Sequence, residues 1–128
     1  MPDGGRLACF LSETAEPVTI STEQMDGDVL RVFLGGRLDI EGAAAVDLQM
    51  SVLAGSTKFL LIDMSNVTFV GSMGLRSIVV PARTVGRRGG KMVLFAPVPV
   101  VEEVLKAAKI DEIIPIFHEL EPAVAAFR

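Results

Sequence analysis

Two short runs in this sequence are apolar at every position, and they constrain the fold more than any other feature. They are residues 59–62, Phe-Leu-Leu-Ile, and residues 92–96, Met-Val-Leu-Phe-Ala. A strand that is apolar on both faces must be covered on both faces, as the central strands of a helix-covered parallel sheet are. Segments before and after these runs carry apolar residues at spacings of three and four, which is typical of helices. The chain is therefore predicted to be an α/β domain.

The alternation of the two periods predicts the order of the elements. Strands are predicted at residues 18–22, 29–34, 59–62, 92–96 and 113–117, and helices at residues 41–54, 72–86, 98–108 and 119–127. Asp26-Gly27 between the first two strands predicts a hairpin turn. This order predicts one domain with a mixed sheet, parallel central strands, right-handed crossovers and about four helices.

Several single residues set the expected ends of these elements. Gly35 and Gly36 are expected to end the second strand, and Asp63 to close the third, followed by a loop over residues 64–71. Pro81 lies inside the second predicted helix, where it removes a backbone hydrogen bond, so a kink or an early end is expected there. Pro115 is expected to place the last strand at an edge of the sheet.

Length and charge exclude several classes of protein. The 128 residues are enough for one domain, predicted at 18–128 behind a flexible extension at 1–17. Twelve Lys and Arg against sixteen Asp and Glu give a net charge of −4, which argues against a nucleic-acid-binding domain. The longest stretch without a charged side chain, residues 64–75, is shorter than the ~20 residues that span a bilayer. A single cysteine, Cys9, fits a reducing compartment, so we expect a cytoplasmic protein.

The chemistry is expected where the central strand gives way to a helix, at Ser72. The first backbone N–H groups of a helix have no partner inside it, and the helix dipole adds positive charge there. A phosphate on Ser72 would be stabilised by both, and Gly71 and Gly74 leave the backbone open to an incoming kinase. The plainer interpretation is that Ser72 is a helix N-cap, worth about 1 kcal/mol.

Three segments resemble the STAS domain, the family of sulphate transporters and anti-sigma-factor antagonists. Residues 63–75, Asp-Met-Ser-Asn-Val-Thr-Phe-Val-Gly-Ser-Met-Gly-Leu, resemble the family's signature. Residues 36–39, Gly-Arg-Leu-Asp, resemble its Gly-x-Leu-Asp after the second strand, and residues 89–92 resemble the entry to the next strand. The resemblance extends from residue 18 to about residue 127 and implies the same mixed α/β fold.

For the anti-sigma-factor antagonists, the resemblance implies a phosphorylation switch. Ser72 is then the residue that is phosphorylated, and the partner that phosphorylates it is an anti-sigma factor that is also a serine kinase. The unphosphorylated domain binds this partner, and the phosphorylated domain releases it. A serine phosphatase is a further candidate partner. The implied partner-binding residues are Gly36, Arg37, Leu38, Asp39, Gly71, Met73, Gly74, Leu75 and Arg76. The family often has an acidic residue where Gly71 stands and Ser or Thr where Met73 stands. The implied protein is not an enzyme and needs no cofactor or metal.

The sequence also leaves other interpretations open. A STAS subunit that docks constitutively on a transporter ATPase would use the same face without phosphorylation. A small hydrolase using Ser72 is less favoured, because Val70 stands where the Gly-x-Ser-x-Gly elbow has Gly and no base is evident. The lone His118 has no cluster of ligands around it in the sequence and does not indicate a metal site.

A run of basic residues also has two interpretations. Arg76, Arg83, Arg87, Arg88 and Lys91 follow Ser72, and no Asp or Glu occurs from residue 64 to residue 101. The plainer interpretation is a solvated helix face. The alternative is a positive surface that attracts an acidic partner and speeds its association.

Overall fold

The computed structural model describes residues 18–127, and the predicted extension at 1–17 lies outside them. The elements are β1 (Thr19–Met25), β2 (Val29–Leu38), α1 (Ile40–Ser56), β3 (Phe59–Val70), α2 (Ser72–Arg87), β4 (Lys91–Phe95), α3 (Pro99–Ala107), a 3₁₀ turn (Ile110–Glu112), β5 (Ile116–Phe117) and α4 (Leu120–Ala125). Their order matches the predicted order of strands and helices.

The strands form one mixed sheet in the order β1-β2-β3-β4-β5. β1 and β2 are antiparallel and are joined by the predicted turn, in which Gly27 and Asp28 adopt positive φ. The pairs β2–β3, β3–β4 and β4–β5 are all parallel. The predicted α/β class and mixed sheet are confirmed, and β5 lies at the edge as Pro115 indicated.

The two faces of the sheet are covered differently. On one face α1, α2 and α3 pack on a large aliphatic cluster, in which Ile62 of β3 and Met50 of α1 are almost fully buried. On the other face α4 places Ala123 against Leu61 and Val93. Both faces of β3 are therefore buried, which explains why its first residues are apolar without alternation.

The two strands that lead to the candidate site are longer than predicted. β3 continues through Asp63 to Val70, and β2 continues through Gly35 and Gly36 to Leu38. The register between them shifts twice, between Phe33 and Gly35 and between Gly36 and Arg37. Such irregularities insert unpaired residues and disturb the period of two, so the end of β3 has the hydropathy pattern of a loop.

Of the two outcomes predicted at Pro81, a kink or an early end, the early end is wrong. α2 runs through Pro81 to Arg87. Pro81 is itself buried, and beyond it Val85 is fully buried in the core cluster. This apolar packing offsets the backbone hydrogen bond that proline cannot donate.

Candidate functional site

The candidate site is the edge where β2 and β3 end side by side. Leu38 of β2 is in register with Val70 of β3. The N–H of Gly71 donates a hydrogen bond of 3.0 Å to the carbonyl oxygen of Leu38, which continues the pairing past the end of β3. Residues 36–39 and residues 71–76, which are far apart in sequence, are thereby brought together.

Ser72 is the first residue of α2, and its side chain is exposed. The N-cap of α2 is Gly71, whose backbone is extended (φ −98°, ψ −174°) and which has no side chain to cap the helix. The interpretation of Ser72 as the N-cap is therefore wrong. Among the described residues, no hydrogen bond of the Ser72 hydroxyl is found, and the residue as a whole is exposed to solvent.

The surroundings of the Ser72 hydroxyl favour negative charge. The first turn of α2 contains no acidic side chain, and Arg76, one turn further on, is exposed. The first N–H groups of the helix have no carbonyl acceptor inside the helix, and the helix dipole adds to their positive potential. A phosphate attached at this position would be stabilised by these groups.

Arg37 and Phe69 form a stacked pair on the same edge. The two residues are in register on β2 and β3, and the guanidinium carbon of Arg37 lies 4.3 Å from the centre of the Phe69 ring. Arg37 Nε also lies 3.5 Å from Asp39 Oδ2. A Cβ atom on Gly71 would lie 3.3 Å from Cε2 of Phe69, so this ring borders the turn that carries Ser72.

Asp39 is the N-cap of α1. Its Oδ1 accepts a hydrogen bond of 2.9 Å from the backbone N–H of Gly42. This hydrogen bond, together with the nearby Arg37, outweighs the effect of partial burial and holds the pKa of Asp39 below its ordinary value. The side chain is therefore ionised at neutral pH, and it both begins α1 and adds a negative charge to the edge.

The predicted partner-binding residues differ in what they present at the surface. Met73 and Arg76 are exposed, and Gly36, Arg37, Asp39, Gly71 and Leu75 are half-buried. Leu38 and Gly74 are buried. They lie beneath the surface and hold α2 against β2.

Comparison with known proteins identifies the family. The STAS domain family model matches residues 19–123. The chain belongs to the STAS domain family. This confirms the resemblance seen in residues 36–39, 63–75 and 89–92.

Three solved structures are similar to this STAS domain. An anti-sigma factor antagonist from Mycobacterium paratuberculosis has a TM-score of 0.76 at 28% identity, over 87% of this chain and 94% of that chain. A proposed anti-sigma factor antagonist from Thermotoga maritima has a TM-score of 0.75 at 26% identity, over 85% and 94%. The phosphorylated Bacillus cell fate determinant SpoIIAA has a TM-score of 0.66 over 86% and 100%, and its 17% identity shows the fold alone. A search of curated proteins gave no significant match.

Two exposed apolar residues of this STAS domain were missed by the sequence analysis. Phe69 is 39% exposed and Ile40, directly after Asp39, is 72% exposed. Phe69 could have been found if the third strand had been predicted to continue past Asp63. It then lies on a strand between the buried residues Val67 and Val70. With Met73, these side chains add apolar surface to the edge that carries Ser72.

The basic residues after Ser72 have different roles. Arg88 Nη1 donates hydrogen bonds to the carbonyl oxygens of Ala54 and Thr57, at 2.8 Å and 3.0 Å, and so caps the C-terminal end of α1. Lys91 Nζ donates to the carbonyl oxygen of Ala126 at 3.1 Å. These two cations stabilise the fold, whereas Arg76, Arg83 and Arg87 are exposed on α2.

The structure gives no sign of a metal site or a membrane helix in the part of the chain that it describes. Among residues 18–127, no three His, Cys, Asp or Glu side chains are grouped as metal ligands would be. His118 instead contacts a carboxylate oxygen of Glu102 at 2.8 Å on the surface. Within the same residues, no helix combines the length and apolar character needed to cross a bilayer.

Replacing Gly74 by Ala is expected to lower the free energy of unfolding by about 2–3 kcal/mol and to displace the start of α2. A Cβ atom at this position would lie 2.7 Å from the Cβ of Leu38 and would also clash with the carbonyl oxygen of the same residue. Gly86→Ala is the matched control, because Gly86 lies in the same helix with nothing within 4 Å of its Cβ position. We expect that control to be stabilised by up to about 1 kcal/mol. Urea unfolding of both variants measures the difference, and equal effects would show that the contact with β2 is unimportant.

Proposed function

We propose that this STAS domain is an anti-sigma-factor antagonist controlled by phosphorylation of Ser72. It binds an anti-sigma factor that is also a serine kinase, in the bacterial cytoplasm, and dissociates from it when phosphorylated. The observation that carries the proposal is the exposed Ser72 hydroxyl at the first residue of α2, on the edge where β2 and β3 meet. The similar structures named as anti-sigma factor antagonists support the class of partner.

The proposed reaction requires little chemistry from the domain. Ser72 Oγ attacks the γ-phosphorus of ATP bound by the partner, the Oγ–P bond forms as the bond to ADP breaks, and the hydroxyl proton passes to a base of the partner. Phosphoryl transfer depends mostly on positioning and charge neutralisation, which the partner supplies with its metal ion. The domain is thus the substrate and not the catalyst, and a serine phosphatase would restore the hydroxyl.

The docking surface combines apolar and basic side chains around Ser72. Met73 and Phe69 are each 39% exposed and offer apolar contact, while Arg37 and Arg76 offer positive charge. A partner with acidic groups around its kinase site would match this surface. Phosphorylation adds about −1.5 to −2 charges at the centre of the contact, so the same acidic groups would then repel the domain.

Phosphate transfer to Ser72 is the direct test. The domain is incubated with ATP and each candidate anti-sigma kinase of its host, and intact-protein and peptide mass spectra are recorded. We expect one phosphate, located at Ser72, and none in Ser72→Ala. Ser56→Ala is the matched control, because Ser56 is also exposed but lies at the C-terminal end of α1, and it should accept phosphate like the native protein.

Two results would contradict the proposal. Phosphate retained by Ser72→Ala would place the acceptor elsewhere. No transfer from any of these kinases, with co-purification of a transporter ATPase instead, would support the alternative of a constitutive accessory subunit.

A further inference from the structure

A groove lies between β1 and α1 on the flank of the molecule. Its volume is about 410 Å³. The residues that line it are all uncharged: Ile20, Ser21, Thr22, Leu48, Gln49, Val52 and Leu53. We call it the edge groove. A charged surface would lose its hydration there without gaining an ion pair, so the groove fits an uncharged partner surface.

Two large aliphatic side chains of α1 stand out from the edge groove. Leu48 is 75% exposed and Val52 is 60% exposed, and their spacing of four residues places them on the same face of the helix. Asp47 lies on a different face, because its carboxylate accepts a hydrogen bond of 2.6 Å from the hydroxyl of Ser77 in α2. The apolar face of α1 is therefore separate from the face that packs on α2, the helix that begins at Ser72.

The backbone of β1 adds hydrogen-bonding groups to the same flank. Among the described residues β1 pairs only with β2, and its other side is an open edge of the sheet. Proteins commonly protect such an edge by a short strand, a proline, a lysine or a bulge. The strand at the other edge, β5, has two residues and follows Pro115. β1 has seven residues, none of them proline or lysine, and pairs with β2 without a register shift, so it can accept another strand.

We propose that a second copy of this chain occupies this flank, with the two β1 strands paired antiparallel about a two-fold axis. A second copy provides both features that the flank can bind, an extended strand with an open edge and an uncharged apolar surface beside it. A two-fold axis makes the contact identical for the two copies and closes the assembly at a dimer. The two five-stranded sheets then form one continuous sheet. This proposal goes beyond the proposed phosphorylation switch and does not depend on it.

The two-fold axis determines which groups meet. If it passes beside Thr22, the middle residue of β1, then Glu23 of one copy lies opposite Ser21 of the other. Glu23 is the only charged residue of β1, so this register places no like charges opposite each other. Because the axis is perpendicular to the sheet, both α1 helices lie on the same side of it. Leu48 and Val52 of each copy therefore face those of the other copy across the axis.

Sedimentation of the full-length protein at concentrations from about 1 to 500 μM is the first test. β1 and one face of α1 form a smaller contact than the roughly 20–30 residues a side of a standard interface, so we expect a reversible dimer with a dissociation constant on the order of 10 μM. The double variant Leu48→Lys, Val52→Lys should raise that constant at least about 100-fold, because it places like charges against each other. Both side chains are exposed, so the variant should still fold.

The matched control is the double variant Val100→Lys, Ile113→Lys. It adds the same charge at two residues that are 60% and 54% exposed and that lie outside β1 and α1. We expect this control to dimerise like the native protein.

Hydrogen exchange separates strand pairing from a contact between helices alone. Peptides that cover Thr19–Met25 should exchange at least about tenfold slower at the highest concentration than at the lowest, because the outward N–H groups of β1 become hydrogen-bonded in the dimer. The double variant Leu48→Lys, Val52→Lys should show no such dependence on concentration.

Four results would overturn the proposal. The first is a monomer at every concentration, and the second is a dimer that persists unchanged in the variant Leu48→Lys, Val52→Lys. The third is a dimer in which the exchange of β1 does not change. The fourth is a dimer that dissociates in Ser72→Asp, which would place the contact at the start of α2. The first three measurements do not involve Ser72, so this proposal and the phosphorylation proposal can fail separately.

Discussion

Ser72→Asp is expected to weaken binding to the anti-sigma kinase by about 100-fold, because a like charge placed against an acidic surface costs several kcal/mol. The same substitution should raise the free energy of unfolding by about 0.3–1 kcal/mol, since a carboxylate at the first residue of α2 interacts favourably with the helix dipole. Loss of binding combined with a gain in stability would separate repulsion from unfolding. Titration calorimetry with the kinase and urea unfolding measure the two quantities.

Two control variants isolate the effect of charge. Ser72→Asn has nearly the same size and shape as Ser72→Asp but is neutral, so it should keep most of the native affinity. Ser56→Asp adds the same charge to an exposed serine at the C-terminal end of α1 and should also bind. If Ser72→Asn loses binding as fully as Ser72→Asp, shape rather than charge controls the contact. If neither loses binding, Ser72 lies outside the docking surface.

Asp63→Ala is expected to lower the free energy of unfolding by about 3 kcal/mol, because it leaves a largely buried guanidinium without its partner. Asp63 Oδ2 accepts a hydrogen bond of 2.7 Å from Arg31, whose side chain is only 19% exposed. The guanidinium also lies 4.7 Å from the ring centre of Phe33 and 5.3 Å from that of Phe95. The substitution further removes the acceptor of the Ser65 N–H and hydroxyl, at 3.0 Å and 2.7 Å.

The Asp63 carboxylate also makes stability depend on pH. Burial raises the pKa of Asp63, but the hydrogen bonds from Ser65 and the ion pair with Arg31 outweigh burial, so the pKa lies below its ordinary value. A depressed pKa adds stability above the unfolded-state pKa of about 3.9, and this stability is lost as the pH falls through the folded-state value. The native protein should therefore lose stability below about pH 4 more steeply than Asp63→Asn, as measured by urea unfolding across that range.

A double-mutant cycle distinguishes the ion pair from general damage to the sheet. Arg31→Ala and Asp63→Ala should each destabilise the protein, and the two together should cost clearly less than the sum, since each single variant already breaks the pair. Additive effects would show that Arg31 and Asp63 act independently.

Much of the fold could be predicted from local patterns. The apolar runs that became β3 and β4, the Asp26-Gly27 turn and the helical spacing before Gly55 each depend on residues close together in the sequence. Side chains three or four residues apart share one face of a helix, and successive side chains alternate between the two faces of a strand, wherever the element lies in the fold. The spacing of apolar residues and the residues of the turns were therefore sufficient to predict the order of the elements.

The candidate site was predicted less completely. The position of Ser72 at the start of a helix was correct, but the N-cap role belongs to Gly71, and Asp39 proved to be the N-cap of α1. The exposed Phe69 was missed because the end of β3 has the hydropathy pattern of a loop. Bulges depend on how two distant strands align, and a single-strand pattern contains no information on that alignment.

The sequence by itself determined the α/β class, the order of its elements and the serine at the start of α2, because these follow from interactions within a few residues. The tertiary structure alone decided that Arg31 pairs with Asp63 across 32 positions, that Gly74 packs on Leu38, and that Arg37 stacks on Phe69 next to Ser72. These contacts depend on strand register and helix docking, which are set by the burial of the whole core and not by any one segment.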